Sequence, residues 1–364
     1  MIQFRFGHVA TFVLLLCTLL LTTSRVQAQT QKPTPQHAPG GVVGYVKWGF
    51  GNDNAPMQLA ANSGMTFVGV GKVRQGGEQL LWRVGAQGGQ TQLVQTTART
   101  ADLARGTFMN YVGRDTLPPL RLYTYVSSAA NGIRGTLAVG GTTKERLPIK
   151  AMKEGMAEYA VYPRALSATE RMRVESAMAL RHGITLNHSY LNSRGLVVRN
   201  YYRLKAYNHR VAGIIGDSAS CLYKATGQSG EGEAVVRVSA KAIGEGTSYI
   251  WGDNAKRLAF AAGRGNGKWM RRRWAATTTG TPVAGMTLTL DTRSIRQLEP
   301  LGEGESYYLA VDNSGTGKFP VGQLRYYKAH MGQADSVTFM GISAGVGESV
   351  FTFRAAKDFF STID

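Results

Sequence analysis

Apolar residues along this chain come in short runs broken at close intervals by Gly, Asn, Asp and Ser. The first series falls at 42–50, 65–73, 79–84, 91–97, 107–112, 120–126, 133–139 and 156–162. Between the runs stand Gln75-Gly76-Gly77, Gln87-Gly88-Gly89 and Gly140-Gly141, residues suited to tight turns. Within 120–125 the pattern alternates: Leu120, Leu122 and Thr124 share one face, and Arg121, Tyr123 and Tyr125 the other. These runs predict a jelly-roll β-sandwich.

One helix follows. Ser167-Ala168-Thr169-Glu170 has the form of a capping box, and Val174, Ala177, Met178 and Arg181 recur at helical spacing. Gly183 is placed to end the helix. Its charged positions, Glu170, Arg171, Arg173 and Glu175, are expected to face solvent. Runs at 211–215, 234–239, 248–251, 269–275, 286–290, 307–311, 323–327, 336–340 and 350–353 then predict a second β-sandwich-like domain.

The N-terminus changes the picture of where this chain works. A weakly basic start with Arg5, the apolar stretch 9–21 and Val26-Gln27-Ala28 predict a signal peptide over 1–28. The apolar run falls short of a membrane span, and no later stretch approaches one. Leu16 before Cys17 argues against lipoprotein processing. Residues 29–39, polar and Pro-containing, read as a linker. Cleavage leaves Cys221 alone, so the mature chain is expected to fold without an intrachain disulfide. The net charge is +19, and the leader contributes only Arg5 and Arg25 to it. That excess favours polyanions. In the periplasm, at the outer membrane or on the cell surface these are acidic glycans, lipopolysaccharide or an acidic envelope protein; nucleic acid is not expected there.

Residues 158–187 carry a resemblance. Glu158-Tyr159-Ala160-Val161-Tyr162-Pro163-Arg164-Ala165-Leu166-Ser167-Ala168-Thr169-Glu170, continuing through Val174-Glu175 to His182-Gly183-Ile184-Thr185-Leu186, resembles the closing strand and helix of laminin-G-like, concanavalin A-like modules in secreted Bacteroidota proteins. The next module is similar to their uncharacterised β-rich domain at Asn208-His209-Arg210-Val211-Ala212-Gly213, Trp251-Gly252-Asp253-Asn254, Arg273-Trp274 and Tyr308-Leu309-Ala310-Val311-Asp312. The resemblance implies an all-β chain: a concanavalin A-like jelly roll with one C-terminal helix at 40–187, then a second β-sandwich-like domain at 195–364. It also implies a surface or secreted module. Such proteins often end in a sorting domain, for which the few residues after Phe353 leave no room, so a periplasmic or outer-membrane-associated place is expected.

Several chemistries can be weighed from the residues. Glycoside hydrolysis needs two opposed carboxylates; Glu154 and Glu158 are the nearest candidates in the first module and lack the enzyme pattern. Gly341-Ile342-Ser343-Ala344-Gly345 matches a nucleophile elbow, but a turn and a strand are expected after it instead of a helix. Gly263-Arg264-Gly265-Asn266-Gly267-Lys268 lacks the first Gly and the trailing hydroxyl of a phosphate loop. Calcium is a possible ion at Asp312 and Asn313, or at Asn52-Asp53-Asn54, although Asx-rich turns form without one; no other cofactor is expected. The leading candidate for binding is Lys268, Trp269, Arg271, Arg272, Arg273 and Trp274. Alternation puts Trp269, Arg271 and Arg273 on one face, and Met270, Arg272 and Trp274 on the other. Arginine pairs with carboxylate or phosphate, and an adjacent ring adds a stacking surface. The competing reading is an edge strand protected by charge. The function expected is non-catalytic binding of a glycan, a polyanion or a partner protein. An accessory subunit of an outer-membrane assembly and a carbohydrate-active enzyme stand as alternatives.

Overall fold

A computed structural model of the chain describes residues 38–51, 57–72, 78–85, 91–102, 107–110, 120–128, 133–140, 150–151, 156–263, 267–298, 300–331 and 335–357. The expected leader, most of the expected linker, Asn52-Asp53-Asn54 and Glu154 lie outside these residues.

The chain is mostly β-sheet, as the runs predict. In the first module four antiparallel strands pair in the order Lys47–Gly51, Met156–Tyr162, Met65–Lys72, Leu120–Ser127. A second sheet runs Met57–Ala61, Ile133–Val139, Gln79–Gly85, Thr91–Thr96, Arg99–Asp102, Thr107–Asn110, with Lys150–Ala151 parallel to Gln79–Gly85. Phe67, Trp82, Leu137, Tyr159 and Val161 fill the space between the two layers. Alternation then turns Val68, Val70, Ala160 and Tyr162 to the opposite face.

That face receives helix α1, Ala168–His182. Its ends form as the sequence predicts. The Ser167 hydroxyl accepts from the Glu170 amide at 3.3 Å, and the Glu170 carboxylate accepts from the Ser167 amide at 3.0 Å. Gly183 closes the helix at φ 68°, and a Cβ there would lie 2.5 Å from the Gln228 carbonyl oxygen. The expected solvated face of α1 is not solvated throughout. Every residue from Val174 to Leu180 is buried, Glu175 included. Arg173 donates to the carbonyls of Gly40 and Gly41 at 2.9 Å each, which packs the start of the first module against the helix. The reason is that α1 is covered twice. Val68, Val70 and Tyr162 approach from the first module, and Val211, Ile215, Leu222 and Ile250 from the second. A helix enclosed in this way is buried nearly all round.

The second module is a sandwich of a nine-stranded and a five-stranded sheet. Its core contains Trp251, Trp274, Met286, Leu288, Tyr307, Phe339, Phe351 and Phe353. The long strand Gly347–Lys357 is the spine of the larger sheet. It pairs with Glu305–Asp312 on one side, and with Trp274–Thr279 and Lys268–Met270 in succession on the other. The run expected as one strand at 269–275 is thus two strands with the arginines at the break. The Thr352 hydroxyl serves the carbonyls freed there, that of Met270 at 3.1 Å and that of Arg272 at 2.9 Å. No helix among the described residues is long and apolar enough to cross a membrane.

Candidate ligand-binding face

The outer face of the larger sheet divides in two. α1 covers the half formed by His209–Asp217 and Ser248–Asp253. The other half carries a row of side chains in register across four strands: Trp269 opposite Arg354, Arg354 opposite Tyr308, Tyr308 opposite Lys328. One row along, Ala310 faces Tyr326 and Thr352. The Arg354 guanidinium lies over two rings, 5.5 Å from the centroid of Trp269 and 5.8 Å from that of Tyr326. Burial raises the pKa of Tyr326 despite the opposing charge of Arg354.

A loop completes this face. The buried carboxylate of Asp312 accepts from the Ser314 amide at 2.8 Å, the Ser314 hydroxyl at 2.5 Å and the Phe319 amide at 3.1 Å. The loop returns on itself, with Phe319 held at φ 55°. Phe319 meets Trp269 edge-on at 5.6 Å, and the Arg273 guanidinium lies 5.0 Å from its ring centre. Arg273 also donates to the Gly317 carbonyl at 2.6 Å. The segment 200–207 is tied beside them by Arg199, fully buried, which donates to the carbonyls of Ala275 at 3.0 Å and Tyr207 at 2.8 Å. Burial pushes the pKa of Arg199 down to about 10.

The six expected binding residues separate by the predicted alternation. Lys268 and Arg271 are exposed, while Trp269 and Arg273 are half-buried on the outer face. Arg272 is buried; its guanidinium donates to the Lys256 carbonyl at 2.6 Å and pairs with Glu233 at 2.6 Å. Trp274 is in the core, stacked on Phe351 at 5.6 Å. The structure therefore puts Trp269 and Arg273 on the outer face, leaves Lys268 and Arg271 exposed with Lys268 in register with the core residue Ala355, and holds Arg272 and Trp274 inside. Half-buried Tyr326 joins Trp269 on that face, with Arg354 and Phe319 buried beside it; none of the three was singled out, since strand register brings Arg354 and Tyr326 there and the returning loop brings Phe319. Exposed Lys318 and Lys328 border it. Glu348 is paired with Arg203 at 3.0 Å.

Asp312 directs its oxygens into the loop that it folds, as an Asx turn does. Asn313 is exposed and lines a shallow cleft of about 380 Å3 with Arg325, Ser343 and Glu348. Ser343 sits near the end of strand Ser336–Ala344 in the smaller sheet, and strand Gly347–Lys357 of the larger sheet follows it directly, so the geometry is a short strand-to-strand crossing between sheets rather than a strand-to-helix elbow. Among the described residues no three His, Cys, Asp or Glu side chains are grouped to hold a metal. Glu158 is fully buried and bonded to Trp48 at 3.1 Å, to His182 at 2.9 Å and to Arg181.

Among curated proteins no sequence matches this chain. The solved N-terminal CBM22-1-CBM22-2 tandem domain from Paenibacillus barcinonensis Xyn10C aligns over 87% of this chain and 81% of that one, at 9% identity and a TM-score of 0.16. A score that low bears on neither fold nor ligand. Residues 170–345, from the first turn of α1 to just past the strand that carries Ser343, match the family model described as "Domain of unknown function (DUF8202)".

Proposed function

We propose that this chain is an exported, non-catalytic envelope or surface protein that binds an acidic glycan through the outer face of its second sandwich. The observation that carries the reading is the joining of Trp269, Tyr326 and Phe319 to Arg354 and Arg273 on one sheet face. Arg354 and Arg273 order the rings; Arg271, Lys318 and Lys328 supply exposed positive charge around them. A sugar ring presents C–H groups to an aromatic surface, and its carboxylate or sulfate pairs with the surrounding cations. The net charge of +19 agrees with an anionic ligand.

Tryptophan emission tests this directly. Trp82, Trp251 and Trp274 are buried, which leaves Trp48 and Trp269 as the partly exposed indoles. Polygalacturonate is expected to change the emission of the wild-type protein and of Trp48→Phe, and to leave that of Trp269→Phe unchanged. A full response from Trp269→Phe would place the ligand elsewhere.

A further inference from the structure

We infer that His188 is a doubly protonated latch that pins the connector between the two modules to the buried helix, and that loss of one ring proton releases it. The inference is independent of the ligand-binding reading. The two ring nitrogens of His188 face two hydrogen-bond acceptors. Nδ1 lies 2.9 Å from the carbonyl oxygen of Ser189, and Nε2 lies 2.8 Å from a carboxylate oxygen of Glu175. A neutral imidazole has one N–H, so either neutral tautomer would set a bare nitrogen against an oxygen lone pair. The imidazolium satisfies both.

The competing arrangement moves the proton to Glu175 and leaves the ring neutral. Two groups oppose it. The Thr124 hydroxyl donates to the other Glu175 oxygen at 2.6 Å, and Arg171 stands 3.7 Å from that same oxygen. A proton on that oxygen would displace the Thr124 bond and face the Arg171 cation. The groups around the ring therefore come from three elements: Glu175 and Arg171 on α1, Thr124 on the strand Leu120–Ser127, and the Ser189 carbonyl on the connector. Burial of the ring lowers its pKa and Arg171 adds to that, but the bonds to Glu175 and Ser189 and the charge of Glu175 outweigh both and raise it above 6.5.

The latch holds a segment that both modules use. Beyond His188, the Leu191 amide donates to the Ser176 hydroxyl of α1 at 2.9 Å, and the Ser193 amide donates to Asp217 of the second module at 2.8 Å. A folded-state pKa raised above the unfolded one gives stabilisation that is complete below 6.5 and is lost as pH rises through the folded value. The connector is thus firmest in mildly acidic surroundings and loosens on the alkaline side.

Nitrogen-detected NMR of the histidine rings in the full-length protein tests this. Both nitrogens of His188 are expected in the protonated range at pH 6.5, with a single deprotonation at higher pH. Glu175→Gln is expected to lower that midpoint by about one unit or more. Amide exchange at 188–191, corrected for intrinsic rate, is expected to rise with this deprotonation in wild type and to show no such step in His188→Gln. A neutral His188 ring at pH 6.5, or a midpoint unmoved by Glu175→Gln, would overturn the inference. If Glu175→Gln does not fold, the wild-type ring spectra decide it alone.

Discussion

Glu158→Gln is expected to destabilise the protein by about 3–5 kcal/mol, the usual result of removing one partner of a buried ion pair. Glu158 is fully buried on the strand Met156–Tyr162, and its carboxylate accepts from Trp48, Arg181 and His182. Burial alone would raise its pKa. The Arg181 charge and the bonds from His182 and Arg181 outweigh burial and lower it to about 2. Gln keeps the shape but leaves the Arg181 cation without its counter-charge. The same guanidinium reaches the carbonyls of Ser220 at 3.3 Å and Cys221 at 2.8 Å, so the loss is felt in the second module as well. Guanidinium chloride unfolding at pH 7 measures the effect; a loss under about 1 kcal/mol would mean that the pair is not buried as described. The pH dependence has a definite sign. With a folded pKa below the unfolded one, the contribution is present above 4.5 and lost as pH falls towards about 2. Wild type should weaken through that window more steeply than Glu158→Gln.

Leu180→Ala is expected to cost about 2–5 kcal/mol, as large-to-small changes in a closed core do. The size of the loss matters less than where it is felt. Leu180 belongs to the cluster that α1 shares with Val68 and Val70 of the first module and Ile215 and Ile250 of the second. Unfolding followed by probes in each module should shift together as one transition. A variant in which one module melts early while the other keeps its wild-type midpoint would show that α1 serves a single core.

Much of this architecture is legible in the sequence, for local reasons. The capping box at Ser167 and Glu170 and the helix stop at Gly183 depend on neighbours three to five residues away, and they form as read. The inside-outside alternation of 268–274 needs only the β-period, and it places Met270, Arg272 and Trp274 inwards. What escapes the sequence is long-range. Glu175 and Arg173 read as solvated helix charges because nothing local shows that Thr124 and His188 will meet the one and the Gly40 and Gly41 carbonyls the other. The break at 271–273 is set by the neighbouring strand, where Thr352 bonds the freed carbonyls. Arg354 and Tyr326 reach Trp269 only through the register of Gly347–Lys357 with its neighbours. Asp312 has the composition of a calcium ligand, yet its oxygens are turned to the amides of Ser314 and Phe319, which a reading of residue types does not reveal.

The glycan-binding reading is tested most directly by the salt dependence of affinity for an acidic polysaccharide, measured beside a neutral polysaccharide of similar backbone. Displacement of counterions from a polyanion by n cations makes log K fall in proportion to log salt, with a slope that grows with n. Wild type should bind polygalacturonate with a steep slope and bind the neutral chain far more weakly. Replacing Arg271, Lys318 and Lys328 together with Glu should flatten the slope and abolish most of the affinity. Equal affinity for both polysaccharides, or an unchanged slope in the triple variant, would contradict it.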